Sequence, residues 1–336
     1  MRAIGLVAAL ALLGCPRQGP SGEPRSAADE DITFPEEAEA APRHPASETV
    51  ARGEAALAGG DLPAAERLFR QAVREAPADP RAQLDLGLVL ELRDDDEGAE
   101  AAYRAALAAD PEFPQALNNL GLLLRDRGRA SEAVPLLRRA VAIAPNLGEG
   151  WLNLAMALEE TGDDTGAREA YARAVRLRSD DGIARANFGQ LLLRLGENDR
   201  AALELRRALS LARDDPAALQ AIGNGLRRAG QAEAAVRALT LAIEARGEAT
   251  PALLSELALA RLASGDRVSA RAALEQALSL DERYATAHTL LGSVLAAEGD
   301  YRAAVRHFER YLALEPDGPQ AESTRRKLEM ARRAAR

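Results

Sequence analysis

The sequence predicts an all-α fold in which pairs of helices repeat along the chain and stack into a solenoid. Alanine, leucine and arginine dominate the 336 residues, and aromatic residues make up only 3%. Such a composition favours helices that pack closely through small side chains. Similar sequence returns with a period of about 34 residues, and small residues stand at fixed places in each period. Since one helix pair cannot bury its own apolar face, we expect neighbouring pairs to share a continuous core.

The chain begins with a short apolar segment that is typical of a signal peptide. After Met1 and Arg2, an apolar run extends from Ala3 to Leu13, which is too short for a bilayer span of about 20 residues. Leu12-Leu13-Gly14-Cys15 resembles the bacterial lipobox, and this resemblance implies cleavage after residue 14 and lipid attachment to Cys15. Cys15 is the only cysteine, so the chain can form no internal disulfide. The alternative is an ordinary signal peptide with a chance cysteine.

Residues 15–45 are predicted to form a disordered tether. From Pro16 to Pro45 there are six prolines and seven acidic residues against three arginines, a composition that buries too little apolar surface to order itself. A tether of this kind would hold the folded part away from a membrane. In the alternative, where the segment docks on the fold, Ile32 and Phe34 are its only plausible apolar anchors.

Residues 46–318 divide into eight units of this period, with one extra residue near Gly247. The units begin at Ala46, Pro80, Pro114, Gly148, Gly182, Pro216, Pro251 and Ala285. Position 8 of each unit is glycine or alanine, position 20 is always alanine, and position 27 is alanine until Tyr311 replaces it in the last unit. Small side chains at these positions indicate places where two helices cross closely. Position 24 is leucine or an aromatic residue throughout.

This pattern resembles the tetratricopeptide repeat (TPR). The resemblance implies a right-handed superhelical solenoid of about eight TPR helix pairs, whose first helices line a concave groove. Residues 319–336 are predicted to be a C-terminal capping helix. Its apolar stripe comprises Thr324, Leu328, Ala331 and Ala335, while its basic residues lie mostly elsewhere.

The sequence argues against catalysis and against nucleic-acid binding. The formal charge of −9 comes without a basic face along the chain, which phosphate binding requires. The three histidines, His44, His288 and His307, are scattered, and no glycine-rich loop follows a strand to bind phosphate. We therefore expect no enzyme activity, no cofactor and no metal site.

The candidate binding site is a line of asparagines in the predicted groove. Asn119, Asn153 and Asn187 each occupy position 6 of a first helix, away from the packing stripe, so we expect them to face solvent. An amide can bond both the N–H and the C=O of an extended peptide. The asparagines of the O-linked sugar transferase repeats are similar. The alternative is that asparagine is simply common at this position in the family.

Charged and apolar residues are expected to surround these amides. Positions 12 and 13 pass from acidic near the fourth unit to basic in the fifth and sixth, and Leu88, Leu122 and Met156 add apolar surface. The charged members of the candidate groove are Arg125, Asp126, Glu159, Glu160, Arg194, Arg227 and Arg228. Charges of this kind mainly steer a partner towards its site.

Together these features predict a lipid-anchored TPR scaffold of the bacterial envelope, which binds a protein or extended peptide in its groove. Pro16, rather than aspartate, follows the lipobox cysteine, which favours the outer membrane facing the periplasm. Envelope assembly, for example of a pilus secretin or of cell-wall machinery, is the expected setting. The alternatives are a structural or self-associating solenoid, whose groove holds its own tether, and a subunit that targets a separate enzyme.

Overall fold

The computed structural model describes residues 45–212 and 214–336, with side chains from residue 48 onwards. The predicted signal peptide, Cys15, His44 and the tether up to residue 44 lie outside the described residues.

The described residues form seventeen α-helices and no strand, which confirms the predicted all-α TPR fold. In chain order they are α1 (Pro45–Ala58), α2 (Leu62–Glu75), α3 (Pro80–Leu92), α4 (Asp96–Ala109), α5 (Pro114–Asp126), α6 (Ala130–Ile143), α7 (Gly148–Glu160), α8 (Asp164–Leu177), α9 (Gly182–Arg194), α10 (Asn198–Leu211), α11 (Pro216–Arg228), α12 (Ala232–Arg246), α13 (Pro251–Ala263), α14 (Arg267–Leu280), α15 (Ala285–Ala297), α16 (Tyr301–Leu314) and α17 (Ala321–Ala334). Odd-numbered helices up to α15 are the first helices of the eight pairs.

The chain divides into two compact units, and each is described by itself. Unit 1 ends at Gly162 and contains α1–α7, while unit 2 begins at Asp163 and contains α8–α17. In unit 1, α1 contacts α3 and α5 contacts α7, so first helices pack against first helices of the next pair. The same holds in unit 2 for α9, α11, α13 and α15. Stacking of neighbouring pairs, as predicted, is therefore present within each unit.

Small residues lie where the helices of a pair cross. A Cβ atom added to Gly87 would lie 2.4 Å from Cε1 of Tyr103, and one added to Gly223 would lie 2.8 Å from Cγ of Leu239. Position 8 thus packs directly under the large side chain at position 24. Alanine at position 20 is fully buried in every repeat, for example Ala99 in unit 1 and Ala201 in unit 2. Any larger side chain would push the two helix axes apart.

Short polar turns begin and end the helices. The Oδ1 atom of Asp61 accepts a hydrogen bond from the N–H of Ala64 at 2.9 Å, and Asp266 does the same for Ser269 at 3.0 Å. Position 15 of each unit takes a positive φ, and every unit has glycine there except the second, where Asp94 has a φ of 62°. The extra residue of the sixth unit lies in α12, which has 15 residues and is capped by Gly247 with a φ of 76°.

The last helix covers the end of unit 2. Thr324, Leu328 and Ala331 of α17 are buried, and the Oγ1 atom of Thr324 lies 2.9 Å from that of Thr289. The basic residues of α17 are exposed, and Arg332 bonds Glu309 at 2.7 Å. Within residues 45–212 and 214–336, each helix is too short or too polar to cross a lipid bilayer.

Candidate functional site

Polar side chains follow one another at position 6 of the first helices in unit 1. These are Asp85 on α3, Asn119 on α5 and Asn153 on α7, each one repeat after the last. Their exposed fractions are only 5%, 6% and 5%. We call these three residues, together with the equally buried Asn118, the polar column. Beside them, one helical turn further on, lie Leu88, Leu122 and Met156, which are half-buried.

The expectation that Asn119 and Asn153 face solvent is wrong. The Nδ2 atom of Asn153 donates to Oδ1 of Asn118 at 3.0 Å, and Nδ2 of Asn118 donates to Oδ1 of Asn119 at 3.2 Å. The first helices α5 and α7 pack against each other, and the amides are buried because they lie in that contact and bond across it. The chain of bonds stops at Asn119, whose buried Nδ2 atom has no hydrogen-bond partner. Such an unpaired donor has a desolvation cost of about 1–3 kcal/mol.

A buried tyrosine lies near Asp85 and Asn119 of the polar column. The Tyr103 hydroxyl donates to Oε2 of Glu91 at 2.8 Å. Burial raises the pKa of Tyr103 well above its usual value, and the charge of Glu91 raises it further. The Asn119 amide opposes this rise and the Asp85 charge adds to it, so both residues lie near the tyrosine. Asn119 nevertheless does not reach it with the geometry of a full hydrogen bond.

Asp85 carries the second unpaired atom of the polar column. Its Oδ2 atom is buried and accepts no hydrogen bond. Burial raises the pKa of Asp85 to about 7, and the nearby charges of Glu54 and Asp79 raise it while Arg81 lowers it. Arg81 does not relieve the carboxylate directly, because its Nη2 atom bonds Oε1 of Glu54 at 2.7 Å. The column therefore contains one unpaired acceptor and one unpaired donor.

Sequence reasoning missed Asp85 and Asn118. Asp85 had a signal, since it lies one repeat before Asn119 and shares its position 6. Asn118 had none, because it lies at position 5, and adjacent residues of a helix do not normally face each other.

The predicted charged residues of unit 1 gather at the ends of α5 and α7. Arg125 has only a tenth of its side chain exposed, and it bonds Oδ1 of Asp126 at 3.0 Å and Sδ of Met156 at 3.2 Å. Its Nε atom lies 3.8 Å from Glu160. Burial raises the pKa of Glu160, as do the charges of Asp126 and Glu159, while Arg125 lowers it. The negative charge here exceeds the positive, as the sequence suggested.

The remaining predicted residues belong to unit 2. Asn187 is half-buried, and Arg194 bonds Asp164 at 2.7 Å on the surface. Arg228 is exposed, whereas Arg227 has a buried Nε atom without a partner. After Asn187, position 6 continues with Ala221, Glu256 and Leu290, so it is not uniformly polar. The asparagine line predicted from the sequence thus falls into both units, and a single groove that contains it stays a prediction.

Unit 2 also brings two histidines together. Nδ1 of His288 on α15 lies 2.9 Å from Nδ1 of His307 on α16, and Nε2 of His288 lies 2.9 Å from the Glu282 carbonyl oxygen. The carbonyl can only accept, so Nε2 of His288 donates and its Nδ1 in the neutral ring accepts from His307. Burial lowers the pKa of His307, and the neighbouring His288 and Arg306 lower it further. In the part of the chain that the structure describes, no group of three or more His, Cys, Asp or Glu side chains is placed to hold a metal.

Comparisons with known proteins identify the repeat. Models of the tetratricopeptide repeat match residues 50–112, 97–147, 124–182, 184–215 and 261–328. No curated protein sequence matches the chain significantly. Among solved structures, PilF of Pseudomonas aeruginosa has 19% identity and a TM-score of 0.55, covering 61% of this chain and 93% of its own.

Two further solved structures are more distant in geometry. YrrB, described as a TPR protein with an unusual peptide-binding site, has 22% identity and a TM-score of 0.46 over 59% of this chain and 97% of its own. Yeast Tom70 has 18% identity and a TM-score of 0.47 over 91% of this chain and 66% of its own. At these identities the likeness concerns the fold alone.

Proposed function

Because the chain belongs to the tetratricopeptide repeat family, we propose that it is a binding scaffold whose unit 1 holds an extended segment of a protein partner along the polar column. The observation that supports this most directly is the pair of unpaired atoms, Oδ2 of Asp85 and Nδ2 of Asn119, on successive first helices. Buried polar atoms in folded proteins are rarely left without partners. A peptide backbone offers both the N–H and the C=O groups that would pair them.

The surroundings of the polar column suit a peptide. Leu88, Leu122 and Met156 are half-buried beside the polar column, so apolar and polar contacts alternate along the first helices. Side chains of an extended segment point alternately to two sides, and those on one side can rest on this apolar strip. Binding requires the segment to enter between side chains that are packed in the free protein, so small movements of Asn118 and Asn119 accompany it.

Site-specific crosslinking tests this proposal. A photoreactive phenylalanine analogue placed at Leu122, beside the polar column, should form an adduct with one partner protein in living cells. The same analogue at Val268, which is 80% exposed in unit 2, is the control. Asn119→Ala should weaken the Leu122 adduct while the melting temperature shows that the variant is folded. Equal adducts at the two positions, or no change with Asn119→Ala, would contradict the proposal.

We propose further that the scaffold acts at the bacterial envelope, anchored through lipid on Cys15 to the outer membrane and facing the periplasm. The lipobox-like sequence Leu12 to Cys15 supports this anchor. When cells are grown with an alkyne fatty acid, the natural chain should become labelled. The Cys15→Ala variant should stay unlabelled and should be released from the membrane fraction. Equal labelling of both chains excludes lipid at Cys15. For such a location we propose a role in envelope assembly, with the targeting of a separate enzyme as the second candidate.

A further inference from the structure

We infer that Asp85 and Glu54 form a receptor for one cationic side chain, a lysine ammonium or an arginine guanidinium, of the bound segment. This inference rests on the function proposed above and specifies the chemistry of its partner. Asp85 belongs to α3 and Glu54 to α1, so the receptor lies at the start of the polar column, where two first helices meet.

Asp85 lacks the partner that its position on the helix offers. Arg81 precedes it by one turn of α3, a spacing at which arginine and aspartate are close enough to pair. In the structure, Nη2 of Arg81 instead bonds Oε1 of Glu54 at 2.7 Å. Asp85 is only 5% exposed and its Oδ2 atom has no partner. The fold has thus removed this oxygen atom from water without replacing its hydrogen bonds.

Other buried carboxylates of unit 1 show that this is a local exception. Glu100 is 8% exposed, and Arg104 and Arg129 approach its carboxylate to 2.7 and 2.8 Å. Glu66 is 5% exposed and pairs with Arg70 and Arg93. Where a buried acid serves the fold, two arginines accompany it. The carboxylate at Asp85 has no such pair, although arginine is abundant in the chain.

The charges around Asp85 favour a positively charged partner. The charges of three carboxylates, those of Glu54, Asp79 and Asp85, act on one guanidinium, that of Arg81. A neutral donor could bond Oδ2 of Asp85 but would leave the excess negative charge. A cation bonded to Oδ2 supplies the hydrogen bond and also offsets the charge, and hydrogen bonds to ionised groups are about twice as strong as neutral ones. The receptor therefore selects a basic residue of the partner.

Binding of a cation should depend on pH in a defined direction. Asp85 is faced by Glu54 from α1, by Asp79 and Arg81 on its own side, and by Tyr103 from α4. Its pKa of about 7 in the free protein means that it becomes ionised as pH rises through neutrality. A cation prefers the ionised form, so affinity should rise from pH 6 to pH 8. For the same reason the bound cation should lower the pKa of Asp85.

Peptide binding to the full chain in detergent tests the inference. The probes are fluorescein-labelled dodecapeptides in which alanine alternates with lysine, glutamine or glutamate. Asp85→Asn and Glu112→Gln each remove one negative charge, but Glu112 lies exposed in the turn after α4 and is the matched control. At physiological ionic strength we expect Asp85→Asn to weaken binding of the lysine peptide about tenfold, and Glu112→Gln to change it less than about twofold. Melting temperatures confirm that both variants are folded.

The outcomes separate this inference from the proposed function. If the three peptides bind alike and Asp85→Asn behaves like Glu112→Gln, the cation receptor is excluded, while peptide binding stands. If none of the peptides binds, both fail. Carboxyl-carbon NMR gives an independent measure, because the titration midpoint of Asp85 should fall when the lysine peptide is added. A midpoint that stays at its free value in saturated complex overturns the inference.

Discussion

In unit 2 the buried carboxylate of Glu204 lies 2.6 Å from Nη1 of Arg185, whereas in unit 1 the buried Oδ2 atom of Asp85 has no partner. Both acids are more than nine-tenths buried, so burial alone does not distinguish them. Arg185 also donates to the Ser179 carbonyl oxygen at 2.9 Å, which leaves its guanidinium well satisfied. Buried ion pairs thus hold the helices at Glu204 in unit 2 and at Glu66 and Glu100 in unit 1, whereas at Asp85 unit 1 keeps a buried carboxylate that weakens the free fold.

The largest expected effect comes from breaking the pair in unit 2. Glu204→Ala leaves Arg185 buried without its carboxylate, and losing one partner of a buried pair costs about 3–5 kcal/mol. We expect urea denaturation to show a loss of this size. Glu233→Ala removes an exposed acid of α12 and should cost less than about 0.5 kcal/mol. If both changes have equal effects, the pair does not stabilise unit 2.

The matching change in unit 1 should have the opposite sign. The pKa of Asp85 is raised from 3.8 to about 7 in the folded state, so the folded chain holds the proton more tightly than the unfolded chain. The stability that protonated Asp85 contributes is therefore fully present below pH 3.8, and it is lost as pH rises towards 7. Asp85→Asn should restore about 2–4 kcal/mol at pH 8 and almost nothing at pH 3.5.

Unfolding of unit 1 can be followed separately for this purpose. Trp151 in α7 is the only tryptophan of the chain, so its fluorescence reports on unit 1. A loss of stability with Asp85→Asn at pH 8 would show that the carboxylate stabilises the free fold, and would remove the contrast with Glu204.

The helix crossings should respond alike in both units. Ala99→Leu in unit 1 and Ala201→Leu in unit 2 each add a large side chain at a fully buried position, which costs about 1–3 kcal/mol. Ala101→Leu on the exposed side of α4 is the control and should be nearly neutral. Similar losses would show that the units differ in their buried charges and share the same packing. Thermal denaturation followed by circular dichroism measures all three.

The smallest effect is the pH response of unit 2. The pKa of His307 is lowered in the folded state, so the unfolded chain binds this proton more readily. Stability is full above the ordinary pKa of 6.5 and falls as pH decreases through that value towards the lowered one. His307→Gln should flatten the melting temperature between pH 5 and pH 7. A natural chain whose melting temperature rises on acidification in this range contradicts the assignment.

The sequence predicted the fold in detail because small residues return at the same positions. Gly87 lies against Tyr103 at a close helix crossing, as the small residue at position 8 predicted, and the same contact recurs in both units. Here one residue type at one position suffices, since only glycine or alanine fits a close crossing.

The candidate site was less predictable because its chemistry depends on which neighbouring group each side chain bonds. Position 6 identified Asn119 and Asn153, but their exposure was mistaken, since Asn118 joins them through a contact between two helices. At Asp85 the sequence shows an arginine one turn away, and only the structure shows that this arginine bonds Glu54. Charge pairing across helices is not contained in the periodicity of either helix.

The long helix α12 has a consequence for how such chains change in length. Its fifteenth residue and the left-handed Gly247 absorb the one insertion that interrupts the regular spacing of the repeats. The next helix still begins with proline at Pro251, and position 8 of that repeat, Ala258, is still fully buried. An insertion at this boundary therefore leaves the inward faces of later helices unrotated, whereas the same insertion inside α13 would turn its remaining residues by about 100°. Single-codon insertions and deletions in genes for such repeat proteins should accumulate at the ends of second helices, because a change of one residue there leaves the packing of later helices intact.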